Sequence, residues 1–172
     1  MYLDLDVHYG DGVAAAFRGT GARGQVLTMS VHHAARGFFP PSEYSALPDP
    51  SSSLFDPFTL SLPLHAGASC VTFIRVWQAV DRILLAFAPD YVVLQCGVDG
   101  LAGDPIGAWN WSLGSEGGLA WFVRHVLDSS AKVLLLGGGT LFCRLMKDGP
   151  SHATQVDTVQ STLPVRGQCS PP

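Results

Sequence analysis

The segment Asp4-Leu5-Asp6-Val7-His8-Tyr9-Gly10-Asp11-Gly12 places two carboxylates and an imidazole at alternate positions near the start of the chain. In extended backbone, successive side chains face opposite ways, so Asp4, Asp6 and His8 fall on one side. A strand inside a parallel sheet normally buries apolar residues on both faces. Two carboxylates and an imidazole buried side by side need a cationic partner. A divalent metal is one solution, because Asp and His with a third protein ligand and a water form a hydrolytic zinc site. An exposed edge strand running into a polar turn fits the spacing equally well.

Two further segments favour the buried reading. Tyr91-Val-Val-Leu-Gln-Cys96 is a short apolar run, as expected of a buried parallel strand, and it leads into Gly97-Val98-Asp99-Gly100. In open α/β sheets, ligands bind beyond the carboxyl ends of the strands. Asp6, His8 and Asp99 can therefore meet at one rim. A third apolar run, Val133–Leu136, ends in Gly137-Gly138-Gly139, which suits close approach of backbone to a bound group.

Four segments together, DLDVHYGDGV, VLTMSVHHAARGFFP, VVLQCGVDGLAGDP and LLLGGG, resemble the second half of the zinc-dependent histone deacetylase domain, nearest to its class I members. They occur in the family's order and span roughly residues 2–139. The resemblance implies a partial catalytic domain over residues 1–139 and a divergent tail over 140–172. It also implies an arginase/deacetylase-like α/β fold: three layers, with a mostly parallel sheet between helices.

Carried over by position, Asp6, His8 and Asp99 match the family's zinc ligands. Asp4 and Asp11 match carboxylates behind its catalytic histidine pair. Asp4, Asp6, His8, Ser30 and Val31 match an inner potassium site. Phe17, Thr20, Val26 and Phe58 align with a second monovalent-cation site. Phe39, Ile106 and Gly137–Gly139 match the acyl-lysine tunnel. The implied cofactors are Zn2+ or another divalent metal, and K+. The implied activity is hydrolysis of N-acetyl-lysine amides in proteins such as histone tails, by a nuclear or cytoplasmic protein that can join a corepressor complex.

The departures from the family pattern matter as well. Its catalytic histidine pair has no counterpart before Asp4, and Thr140-Leu141 stand where the family has a fourth glycine and an oxyanion-stabilising tyrosine. His32-His33 matches a segment before the tunnel wall and reads as a loop pair, not as a general base. These features lead to the expectation of an inactive fragment. Three alternatives remain: a non-catalytic metal-binding interaction module, an amidohydrolase of the same superfold acting on acetylpolyamines or small molecules, and an unstable product with no function.

Composition is consistent with part of one domain. The 172 residues are 47% hydrophobic, and the net charge of −4 argues against direct nucleic-acid binding. No apolar run reaches membrane-spanning length, and the amino end does not read as a secretion signal. The four cysteines show no zinc-ligand spacing, which suits a reduced intracellular protein.

The pattern alternates strand and helix. Strands are expected at Tyr2–Val7, Gln25–Val31, Phe58–Leu62 (stopped by Pro63), Tyr91–Cys96 and Val133–Leu136. Helices are expected at Asp11–Phe17, Ser69–Ala88 and Glu116–Leu127, with a proline- and serine-rich loop over 40–57. Trp109 and Trp111 read as loop aromatics capping the core, and His65 and His125 as surface or core residues. Gly137–Gly139 lacks the spacing of a nucleotide-binding loop. Residues 140–172 read as a mostly disordered tail.

Overall fold

The computed structural model describes residues 1–19, 26–129 and 131–138. Strands β1 (Tyr2–Asp4), β2 (Thr28–His33), β3 (Thr59–Leu64), β4 (Tyr91–Gly97) and β5 (Lys132–Gly138) form one parallel sheet in the order β3-β2-β1-β4-β5. Helices α1 (Asp11–Phe17), α2 (Cys70–Phe87) and α3 (Leu119–Leu127) complete it. This is the expected α/β architecture. None of the described helices is long and apolar enough to cross a membrane.

Register separates the two faces. Leu3 pairs with Met29 and Leu94, and Leu94 with Leu135, so these side chains form one apolar row. That face packs against Phe73, Val76, Val80 and Leu84 of α2 and Phe122, Val123 and Val126 of α3 in one core. Trp111 stacks on Phe73 at 3.6 Å between centroids, and its Nε1 donates to the Gly117 carbonyl at 2.8 Å. Trp109 and Trp111 thus cap the core, as the sequence suggested.

The opposite face carries Ser61, Ser30, Asp4 and Gln95 in register. A one-turn 3-10 helix, Glu43–Ser45, covers its β2–β3 end. Ser61 Oγ donates to the Tyr44 carbonyl at 2.8 Å, and His32 Nε2 lies 2.9 Å from the Ser45 carbonyl. The short helix α1 lies on this side too, with Arg18 just after it stacked over the Tyr44 ring.

Several element boundaries differ from expectation, each for a local reason. Pro63 does not stop β3, which runs on to Leu64 with Pro63 opposite His32. β3 is an edge strand, where a missing N–H on the outer side breaks no ladder bond. Helix α3 starts at Leu119 rather than Glu116, because Gly117 has φ +74° and Gly118 is its extended N-cap. Helix α2 is bounded sharply by a Ser69–Thr72 capping box and by Ala88 in the left-handed region before Pro89. His32 and His33 are not in a loop: both are buried within β2. Gln25, Thr20, Gly139 and the tail 140–172 lie outside the described residues.

Candidate metal centre

Strand β1 ends at Asp4, not at Val7, and the alternation expected through His8 gives way to a bend. The aspartates cause it. Asp4 Oδ1 accepts the Asp6 N–H at 3.0 Å, and Asp6 Oδ1 accepts the His8 N–H at 2.8 Å. A short carboxylate that captures the N–H two residues on draws backbone out of extended form. Asp99, just past β4, reaches across to accept the Val7 N–H at 3.0 Å. Asp6, His8 and Asp99 therefore meet at the carboxyl rim of adjacent strands.

His8 Nδ1 lies 2.9 Å from Asp6 Oδ1 and 3.1 Å from Asp99 Oδ2. One ligand atom from each residue lies within 4.8 Å of the others. Gly97 keeps the cradle open: a Cβ there would sit 2.7 Å from the Asp6 Cα and 2.6 Å from its Oδ2. Gly10 plays the same part beside Asp4, where an added Cβ would come within 2.5 Å of Oδ2.

Burial makes Asp99 and Asp4 poor anions in isolation. Burial raises Asp99 to about 6, outweighing the Val7 N–H bond that favours its charged form. Burial likewise raises Asp4 to about 7, with Asp6 adding repulsion and its hydrogen bonds opposing. Two oxygen donors and one imidazole nitrogen, converging and short of positive charge, fit a divalent zinc-type ion.

The other residues singled out from the sequence are distributed as follows. Asp4 is 4% exposed, pairs in register with Ser30, and accepts the Tyr2 hydroxyl at 3.2 Å. Ser30 Oγ accepts the Gly10 N–H at 3.3 Å, while Val31 packs into the apolar core. Asp11 opens α1 and is exposed, its Oδ1 accepting the Gly12 N–H at 2.7 Å. Phe17 ends α1, Val26 and Phe58 are half-buried, and Thr20 is outside the described residues. Phe39 is 70% exposed near His8, and half-buried Ile106 follows an Asp104 turn. Gly137 and Gly138 end β5, and Gly139 is not described.

The family's histone deacetylase domain pattern matches residues 1–151. The chain belongs to the histone deacetylase family. It is 32% identical over 140 residues to Histone deacetylase 8 of Xenopus laevis, covering 81% of this chain and 41% of that protein. Histone deacetylase 8 of Danio rerio is 34% identical over 143 residues, with 35% of it covered. Probable histone deacetylase 19 of Zea mays is 34% identical over 140 residues, with 26% covered. This histone deacetylase family chain thus spans about two-fifths or less of the curated relatives it matches.

Two neighbours of the site escaped the sequence reading: Gly97, and Phe38, whose ring stacks on the His8 imidazole. Gly97 had a signal, as a glycine two residues before a candidate ligand. Phe38 had none separate from Phe39, since adjacent aromatics in a loop do not disclose which one turns inward.

Proposed function

We propose that this chain carries the zinc-binding part of a protein-lysine deacetylase domain, with N-acetyl-lysine in segments such as histone tails as substrate. The observation that carries this reading is the convergence of Asp6, His8 and Asp99 at one strand rim in a histone deacetylase family chain. Asp6, His8 and Asp99 would hold the ion. Zinc bound there would supply Lewis-acid polarisation of the acyl carbonyl and a bound water of lowered pKa.

The chain's own residues divide the remaining work. Asp4 fixes the bend through the Asp6 N–H, and Asp99 fixes the Val7 backbone, so the ligand set is preorganised. Exposed Phe39 offers an apolar wall to an acyl-lysine stem. The buried Asp4–Ser30 pair supports a K+ site formed with backbone oxygens. His32 is unsuited as a general base: it is 1% exposed, with Nδ1 3.1 Å from Ser30 Oγ and Nε2 against the Ser45 carbonyl. His33 is buried with Nδ1 on the Leu64 carbonyl. Loss of a general base costs about 10²–10⁴-fold in rate. We therefore expect residues 1–172 to bind metal without turning over substrate.

These committed histidines also favour a second reading, in which the metal stabilises a non-catalytic module of a corepressor assembly. One experiment separates the parts of the proposal. Zinc titration of purified residues 1–172 should show uptake that Asp99→Ala abolishes. An acetyl-lysine peptide should be cleaved no faster than by a metal-stripped control. Equal uptake by both proteins would overturn the metal site. Turnover that disappears in His8→Ala would overturn the expected inactivity and the second reading.

A further inference from the structure

The ring of Phe38 lies almost flat on the His8 imidazole, at 15° between planes and 5.3 Å between centroids. Its neighbour Phe39 meets the same imidazole only obliquely, at 66° and 6.4 Å. We infer that Phe38, braced by His33, positions the His8 imidazole for metal binding. The inference rests on the metal-binding reading above and extends it to two residues outside the Asp6, His8 and Asp99 group.

The need for such a residue follows from where His8 sits. His8 lies beyond the end of β1, in a bend, and its side chain is one-third exposed. Asp6 and Asp99 hold the ring at Nδ1 alone. A ring held at one atom can still tilt and swing about that point. A flat aromatic contact on its face removes this freedom, and aromatic pairs favour such offset stacking.

Phe38 can act this way because it is itself fixed. It packs partly buried against the core, and the His33 ring meets it edge-on at 4.7 Å and 82°. His33 is anchored twice. Its backbone N–H donates to the Val7 carbonyl at 2.8 Å, and Nδ1 lies 3.2 Å from the Leu64 carbonyl. A carbonyl only accepts, so Nδ1 carries the proton in that bond. The turn that delivers Phe38 is closed by its N–H to the Ala35 carbonyl at 3.0 Å and passes through Gly37 at φ +78°. A continuous support thus runs from β3 through His33 and Phe38 to the ligand imidazole.

The test uses the full chain and Co2+, whose absorption reports ligand geometry. Phe38→Leu keeps apolar volume but removes the flat ring; Phe38→Tyr keeps the ring. The leucine variant should bind Co2+ about 3- to 10-fold more weakly, with an altered visible band. The tyrosine variant should stay within about 2-fold of the parent, and His33→Leu should weaken binding in the same direction. In the metal-free protein, the His8 ring protons should lose their upfield stacking shift in Phe38→Leu. Circular dichroism checks folding; if Phe38→Leu does not fold, His33→Leu carries the comparison. Unchanged affinity and unchanged His8 shifts in the folded variants would overturn the positioning role. If the parent takes up no Co2+, the metal reading fails by itself, and the metal-free shifts alone decide whether Phe38 holds His8.

Discussion

Five residues cross one face of the sheet in register: Ser61, Ser30, Asp4, Gln95 and Leu136. At the β3 end the polar members are buried, with Asp4 at 4% exposure. At the β5 end Leu136 is 36% exposed and its neighbour Leu134 57%. This inverts the usual sorting of side chains. The difference shows what decides burial here. The β3 end of the polar row is covered by the Glu43–Ser45 turn and α1, and Ser61, Ser30 and Asp4 are each hydrogen-bonded. The β5 half has the unbroken apolar sequence of a strand buried on both faces, yet no described element packs on this side of it. The proposed metal-binding rim adjoins the covered half, where Asp4 and Asp99 are buried and held by hydrogen bonds.

The sharpest check on this contrast compares the sheet's two faces. Leu94 is fully buried in the core beneath α2 and α3. Leu94→Ala should cost about 2–5 kcal/mol in chemical denaturation. A loss under about 1 kcal/mol would show that this core is not packed as described.

The polar half should respond next most strongly. Ser30→Ala removes the acceptor of the Gly10 N–H, which is part-buried, and the partner of His32 Nδ1, which is buried. Buried groups left unpaired cost about 1–3 kcal/mol. The loop bearing His8 should also loosen, so hydrogen exchange at Gly10 should rise more than at Leu94. Wild-type stability in Ser30→Ala would mean that the buried polar row is better solvated than its geometry indicates.

Much of this was legible in the chain. The apolar runs and the β-α-β rhythm disclosed a parallel sheet, because buried parallel strands differ so clearly from amphipathic helices. The rim site was legible because Asp6, His8 and Asp99 each follow a strand. Other features depended on partners distant in sequence. Whether Pro63 ends β3 turns on which strand lies at the sheet's edge. Whether His32-His33 is a loop or a buried strand pair turns on the Ser45 and Leu64 carbonyls that receive their rings. The bend after Asp4 was hidden in plain view: the same aspartates that suggested alternation interrupt it by capturing backbone N–H groups.

The smallest expected effect tests the uncovered half of the sheet. Leu134 and Leu136 project from β5 on the side opposite α2 and α3, where the described residues leave them exposed. Replacing both with serine removes apolar surface that is already in contact with water. Stability should therefore change by no more than about 0.5 kcal/mol per site, as at ordinary surface positions. Binding of an environment-sensitive apolar dye should fall, since such dyes report exposed apolar patches. Metal uptake should not change, because neither leucine contacts Asp6, His8 or Asp99. If the double variant instead lost several kcal/mol, something would have to pack on β5 in solution. The two halves of this face would then be equally covered, and the contrast between them would disappear.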